Sequence, residues 1–129
     1  MQRNEEREQA RLVRWSHRAA VRALMPALRW LHHSPNGGKR DAITGGQMKA
    51  LGVKPGFPDL VLPVATLTHT GLAIEMKSDK GRTSDEQDDW LAHLAAQGWS
   101  VSIARSAEEG RRILCDYLGQ DYTTAPALE

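Results

Sequence analysis

The sequence is poor in cysteine, and Cys115 is the only one among its 129 residues. A single cysteine excludes an internal disulfide and a metal site built from several thiolates. Cys115 lies in an apolar helical pattern with Ile113, Leu114 and Leu118, so we expect a buried, unreactive thiol. Any metal site in this chain would therefore use other ligands.

Long apolar runs and an excess of one charge are also missing. No stretch approaches the roughly 20 apolar residues of a membrane span, and the arginine- and glutamate-rich start lacks the apolar region of a signal peptide. We therefore expect a cytoplasmic protein. The net charge of +1 falls short of the basic excess of many nucleic-acid-binding domains, so a case for DNA must come from local patterns.

What the chain does have is an ordinary globular composition, with 26% charged and 40% hydrophobic residues. Its length suffices for one compact domain with a core but not for two. We expect this domain to extend from residue 1 to residue 119. Residues 120–129 offer little to bury, so we expect a flexible tail there.

Hydrophobic spacing predicts a mixed α/β domain. A long helix is expected from about Asn4 to Leu31, bent or divided at Pro26. The remaining elements are expected to be a first strand near Trp30 to Ser34, a short helix from about Thr44 to Leu51, a hairpin with strands around Leu62 and Ile74, a helix from Ser84 to Gly98, a strand over Trp99 to Ala104 and a helix from Ser106 to Leu118.

Six arginines recur at three- and four-residue spacing along the first helix and therefore share one face. They are Arg3, Arg7, Arg11, Arg14, Arg18 and Arg22. Two interpretations are open, a solvated helix face or a stripe that contacts DNA phosphates. On the second interpretation, Arg7, Arg11 and Arg14 are candidate DNA-binding residues.

The most informative pattern lies in the predicted hairpin. If its strands pair symmetrically about Leu67, Asp59 stands directly opposite Glu75, with Cβ atoms roughly 4.5–5.5 Å apart. Lys77 lies two residues beyond Glu75 and so on the same face of the strand. Two like charges at this distance destabilise a sheet unless they share a proton or bind a cation.

A divalent cation with oxygen ligands suits two carboxylates and water, and Mg²⁺ usually takes only one or two protein carboxylates. A lysine beside them can orient or help deprotonate a water molecule, or stabilise negative charge on a reacting phosphate. Asp59, Glu75 and Lys77, together with a metal ion, therefore favour hydrolysis of a phosphodiester bond.

The same residues match a family pattern. Pro58-Asp59 followed by Glu75-Met76-Lys77 resembles the PD-(D/E)XK nuclease signature, and the flanking sequence is similar to its VRR-NUC branch, the virus-type replication-repair nucleases. The similar segments are PNGGKR at 35–40, LGVKPGFPDL at 51–60, HTGLAIEMK at 69–77 and GRTSDEQDDWL at 81–91, within a resemblance from about Glu5 to Leu118. It implies a restriction-endonuclease-like α/β core, a mixed β-sheet flanked by helices.

The resemblance also implies roles for the residues of the signature. Asp59 and Glu75 would hold Mg²⁺ or Mn²⁺, and the carbonyl of Met76 would join the metal ligands. Lys77 would be the catalytic lysine.

Two further site residues are implied on the first helix. The family places a glutamate and a glutamine one turn apart there, and these correspond best to Glu5 and Gln9. Glu6 and Glu8 compete with Glu5 for this position. An alternative interpretation of these acids is that they only suit the positive end of the helix dipole.

Gln87 matches a family glutamine that lies near the active site. It also stands three residues after Ser84, which is the spacing of a capping box at a helix start. The sequence alone leaves both interpretations open.

The Asn-Gly loop before the second helix resembles a family loop near the substrate. On this resemblance Asn36, Lys39 and Arg40 are candidate DNA-binding residues, although a plain turn explains the glycines as well. His32 and His33 lie beside this loop, but neighbouring strand residues face opposite ways, so we do not expect a two-histidine metal site.

The resemblance favours an endonuclease that acts on structured DNA, with a four-way (Holliday) junction as the expected substrate and DNA repair in a bacterium or a phage-infected bacterium as the context. Two incisions are needed to resolve a junction, so we expect a homodimer, with Trp15, Trp30 and Leu31 as candidate interface residues. The alternatives are a flap-cutting or restriction-like nuclease, and a DNA-binding module with an inactive site.

Overall fold

The computed structural model describes residues 3–34 and 42–129. Its helices are α1 Arg3–His17, α2 Ala19–Leu24, α3 Ala42–Ala50, α4 Asp85–Ala96 and α5 Ala107–Tyr117, with a 3₁₀ helix over Pro26–Trp30. Its strands are β1 His32–His33, β2 Leu60–Leu62, β3 Leu72–Met76 and β4 Ser100–Ala104. The predicted α/β class is confirmed. None of the helices in these two ranges has the length and apolar character that a bilayer crossing requires.

The strands form one mixed sheet in the order β1-β2-β3-β4. Neighbouring strands are antiparallel except β3 and β4, which are parallel and are joined through the crossover helix α4. Every residue of β3 is buried, which explains its nearly continuous apolar sequence. Glu75 is the exception in this strand, and a buried acid needs a structural or functional reason.

The N-terminal helix is interrupted at Arg18 as well as before Pro26, whereas the sequence predicted only the second interruption. Arg18 has an extended backbone, with φ −65° and ψ 140°. A helix end leaves carbonyls without helical partners, and here the Nε of Arg22 donates to the Ser16 carbonyl at 2.6 Å. No glycine or proline marks this break, so the usual stop signals do not reveal it.

Helices α1 and α5 pack closely because Gly110 has no side chain where they meet. A Cβ at Gly110 would overlap Leu12, which is fully buried in the core with Leu114. Glu8 of α1 also accepts a hydrogen bond of 2.8 Å from the Ala107 backbone N–H. One of the free amides at the start of α5 is thereby satisfied by α1.

The C-terminal segment lies against the helices, so the expectation that residues 120–129 have little to bury is wrong. Ala125 is buried and Tyr122 packs against the core. The Pro126 carbonyl accepts a hydrogen bond of 2.7 Å from the indole Nε1 of Trp15. A tryptophan that is only 1% exposed needs a partner for its N–H, and this segment supplies it.

The three residues expected at a dimer interface differ in how accessible they are. Trp15 belongs to the core of the single chain and offers no surface, which corrects that expectation. Leu31 is half-buried and packs against the same core. Trp30, at 56% exposed, is the one of the three that presents a large apolar surface.

We predict that Trp15→Phe lowers the free energy of unfolding by about 1–3 kcal/mol, because it removes buried volume and the hydrogen bond to Pro126. Trp30→Phe is the matched control, and its effect is expected to stay within about 0.5 kcal/mol. Urea denaturation of both variants measures the difference. Equal free energies of unfolding for Trp15→Phe and Trp30→Phe would contradict the packing of the C-terminal segment on α1.

Candidate active site

The two predicted acidic residues meet at the open end of the β2–β3 pair. The strands pair Leu60 with Ile74 and Leu62 with Leu72, which is the predicted register. Continued by one residue, this register places Asp59 opposite Glu75. Both side chains are deeply buried, with 7% of Asp59 and 2% of Glu75 exposed.

Asp59 is held by contacts with β3 and with residues at the end of β1. Its Oδ2 accepts a hydrogen bond of 2.8 Å from the Met76 N–H of β3. Its backbone carbonyl accepts one of 3.1 Å from the Ser34 N–H and one of 2.8 Å from the His33 ring Nδ1. The carboxylate is therefore fixed in direction, although it lies just outside the regular strand.

Glu75 is positioned by the first turn of α4. The Gln87 Nε2 donates to Glu75 Oε2 at 2.9 Å, while Gln87 Oε1 accepts from the Ser84 N–H at 2.8 Å. The capping box is complete, because Ser84 Oγ in turn accepts from the Gln87 N–H at 3.2 Å. Gln87 therefore both completes the capping box and contacts Glu75, whereas its role in an active site stays a prediction.

The other oxygen of Glu75, Oε1, is buried, and no group among the described residues donates a hydrogen bond to it. Burial and the neighbouring charge of Asp59 raise the pKa of Glu75 to about 9. Burial also raises the pKa of Asp59, although the hydrogen bond from Met76 opposes the effect. Without a cation, the pair therefore holds a proton at neutral pH.

Lys77 directly follows β3, and its N–H donates to the Ala104 carbonyl of β4 at 2.9 Å. Its side chain is half-exposed. The positive charge of Lys77 lowers the pKa values of both Asp59 and Glu75, and so opposes the effect of their burial. Lys77 therefore interacts electrostatically with both acids, as its sequence position predicted.

Glu5 of α1 lies in the same region, next to the turn that follows Lys77. It is only 6% exposed, and its Oε2 accepts a hydrogen bond of 3.1 Å from the Ser78 N–H, next to Lys77. The other two candidates for this position do not lie there, because Glu6 is exposed and Glu8 binds the start of α5. Of the three N-terminal acids, Glu5 is the one that approaches the candidate site.

Gln9, one turn along α1, contacts His33, a residue to which the sequence assigned no role. Its Nε2 lies 2.9 Å from Nδ1 of His33, whose ring contacts the Asp59 carbonyl. The charge of His33 also lowers the pKa of Asp59. The position of His33 depends on the register of the two-residue strand β1, and no sequence pattern fixes such a short pairing.

Arg7, Arg11 and Arg14 lie on a different side of α1 from the site-facing residues. The helix buries Glu5 and Gln9, whereas Arg7 and Arg14 are exposed. Arg7, Arg11 and Arg14 are therefore not gathered with Asp59 and Glu75 at the candidate site.

Acidic side chains also accompany part of the arginine face. Arg11 pairs with Glu8 and with Glu129, each at 3.1 Å, and Arg14 lies 4.0 Å from Glu129. Ion pairs near the surface contribute little to stability, but these place negative charge beside the arginines that the sequence offered as candidate DNA-binding residues. The predicted loop residues Asn36, Lys39 and Arg40 lie outside the described residues, so their role stays a prediction.

With this geometry in place, known proteins identify the family. The model of the VRR-NUC domain matches residues 2–108. The chain belongs to the VRR-NUC family. A solved structure described as a VRR_NUC domain protein is 25% identical over 92% of this chain and 91% of that chain, with a TM-score of 0.75. Among curated proteins, none matches the chain.

Membership of this nuclease family implies nuclease activity and DNA as the substrate. It also confirms the resemblance read from the sequence and the nuclease-like α/β fold. The matched VRR-NUC region contains the acidic pair, Lys77, Gln87 and Glu5, and ends at the beginning of α5.

We predict that Glu75→Gln stabilises the protein in the absence of divalent ions. The folded state keeps a proton on Glu75 that the unfolded state, with a pKa near 4.5, releases, so stability is lost as the pH rises between about 4.5 and 9. Glutamine removes this loss, and at pH 8 we expect a gain of at least about 1 kcal/mol, or ~4 °C in Tm.

Thermal unfolding in EDTA at pH 5 and pH 8 tests this expectation, with the exposed Glu86→Gln as the matched control. The Tm of Glu75→Gln should exceed that of the unsubstituted protein by more at pH 8 than at pH 5. A lower Tm for Glu75→Gln at pH 8 would show that the acidic pair does not carry an electrostatic cost.

Proposed function

We propose that this VRR-NUC chain is a divalent-metal-dependent endonuclease that hydrolyses phosphodiester bonds in structured DNA. The observation that carries the proposal is the buried, opposed pair of Asp59 and Glu75, with one Glu75 oxygen lacking a hydrogen-bond donor and Lys77 beside it. A pair of acids at this depth is unfavourable for folding alone, and a strongly raised pKa such as that of Glu75 is typical of functional sites.

The donor set supports a hard divalent cation such as Mg²⁺ or Mn²⁺. Glu75 Oε1 and the Asp59 carboxylate offer oxygen ligands, and a cation would supply the partner that Oε1 lacks. Among the residues that the structure describes, no three histidine, cysteine or acidic side chains gather around one metal position. The Met76 carbonyl, water and DNA phosphate oxygens would therefore complete the coordination, as Mg²⁺ commonly prefers.

When bound, such an ion would polarise the scissile phosphate and lower the pKa of a water molecule. Lys77 would stabilise the negative charge that develops on the phosphate or orient the attacking water. Gln87 holds one oxygen of Glu75 and leaves the other oxygen free for its ligand. Glu5 holds the backbone next to Lys77 through the Ser78 N–H.

We predict that Asp59→Asn and Lys77→Met each lower the cleavage rate by at least about 100-fold, because the first removes a charged ligand of the proposed metal ion and the second removes a positive charge at the reacting phosphate. The exposed Asp89→Asn is the matched control and should cleave like the unsubstituted protein. Cleavage of labelled linear, flap, splayed and four-way DNAs is measured with Mg²⁺, with Mn²⁺ and with EDTA. Cleavage that persists in EDTA, or full activity of either variant, would contradict the proposal.

Calorimetry with Mn²⁺ supplies a second readout for the same variants. Binding to the unsubstituted protein should release protons, because the raised pKa of Glu75 keeps a proton on the pair that a cation displaces. Asp59→Asn should weaken this binding, whereas Asp89→Asn should not.

For the substrate, we propose a four-way junction cut by a symmetric homodimer. The described residues contain one such acidic pair, whereas resolving a junction requires two incisions, and a two-fold dimer supplies two sites. Trp30, which is 56% exposed, is our candidate for an apolar residue at the dimer interface.

In the same DNA panel, preferential flap or duplex cleavage would favour the alternative nucleases, and binding without cleavage would favour an inactive DNA-binding module. Light scattering gives the oligomeric state.

Arginines of α1 are proposed as a secondary DNA-binding surface. We predict that Arg7→Gln combined with Arg14→Gln weakens binding and reduces the slope of log affinity against log salt by about 0.9 for each phosphate that is no longer neutralised. Arg11→Gln should have a smaller effect, because Arg11 already pairs with two acids. Fluorescence anisotropy at several salt concentrations measures the slopes. An unchanged slope of log affinity against log salt in the double variant would indicate that these arginines form a solvated helix face.

A further inference from the structure

The turn that follows Lys77 is gathered around one arginine. Arg105 stands directly after β4, and its Nη1 donates to the Ser78 carbonyl at 2.7 Å and to the Gly81 carbonyl at 2.8 Å. The Asp79 carbonyl lies 3.3 Å from the same nitrogen. Three carbonyl dipoles therefore converge on one positive charge, and charge-assisted hydrogen bonds of this kind are stronger than neutral ones.

The same turn is closed by its own backbone and held from the opposite side by α1. The Gly81 N–H donates to the Ser78 carbonyl at 3.1 Å, which closes a tight turn. The Ser78 N–H donates to Glu5 Oε2. A Cβ at Gly81 would lie 3.0 Å from Ser78 Oγ and 3.4 Å from Glu5 Oε2, so this side of the turn has little room for a side chain.

These contacts fix the backbone on both sides of Lys77. Its own N–H is bound to the Ala104 carbonyl, the next N–H is bound by Glu5, and the next carbonyl is bound by Arg105. Arg105 is anchored in turn, because its N–H donates to Glu109 Oε1 of α5 at 2.8 Å. Arg105 therefore belongs to the set of contacts that holds the backbone next to Lys77.

We propose that Arg105 is a positioning residue of the nuclease site, which holds the turn over residues 78–81 and thereby directs Lys77 towards the acidic pair. This inference rests on the proposed function, because it assigns Lys77 a task in cleavage. Arg105 does not act on the substrate itself. Small displacements of a reacting group are sufficient to cost about 100-fold in rate, so removal of this anchor should affect turnover more than binding.

The variants Arg105→Met and Arg105→Lys separate positioning from simple stabilisation. Methionine keeps most of the side-chain length and removes the charge and the donors. Lysine keeps a charge with three donors, which matches the observed contacts of one nitrogen with three carbonyls. Arg112→Met is the matched control, since Arg112 lies exposed on α5 and pairs with Glu108.

Cleavage kinetics are measured with Mn²⁺ on the DNA that the unsubstituted protein cuts best. We expect Arg105→Met to lower kcat about 10- to 100-fold while KM changes less than about two-fold. Arg105→Lys should recover a substantial part of kcat, and Arg112→Met should retain full activity. Amide hydrogen exchange should show faster exchange of the Ser78 and Gly81 N–H groups in Arg105→Met.

Full activity of Arg105→Met would overturn the inference and leave the proposed function intact. It is also overturned if exchange in the turn is unchanged, or if the activity of Arg105→Met and Arg105→Lys simply follows their Tm values without recovery by lysine. Absence of cleavage by the unsubstituted protein would instead overturn the proposed function. The exchange measurement would still decide whether Arg105 holds the turn.

Discussion

Electrostatic repulsion between Asp59 and Glu75 is the constraint to which the surrounding structure responds. The pairing of β2 with β3 brings the two acids together, and burial removes the water that would otherwise screen them. Lys77 partly offsets this cost, because its positive charge lowers the pKa values of both acids. A protein selected for stability alone would favour apolar residues at these positions.

The neighbouring elements each fix one part of this arrangement. Strand β3 orients Asp59 through the Met76 N–H, and α4 orients Glu75 through Gln87. The first turn of α4 and the acidic pair are therefore joined by a single side chain, which both caps the helix and holds a carboxylate. Sites supported by regular elements in this way keep their geometry better than sites built on loops alone.

The sequence predicts the acidic pair because side chains alternate along a strand and because the strands pair symmetrically about Leu67. It does not predict the contacts made by Glu5 and Arg105 with the turn at Ser78, which join positions 73 and 27 residues apart. Such contacts depend on the full packing of helices on the sheet. The packing of the C-terminal segment is not predicted for another reason, because Pro126 is bound through its backbone carbonyl, a group that every residue has.

The contact between Trp15 and Pro126 also constrains the order in which the chain can fold. The two residues are 111 positions apart, so α1 leaves the ribosome long before the segment that satisfies its indole N–H. Until then a large apolar side chain of α1 has an incomplete environment, and exposed surface of this kind favours aggregation of nascent chains. Contacts of such high sequence separation also slow folding. Completion of the core is therefore expected to be a late event that follows synthesis of the C-terminal residues.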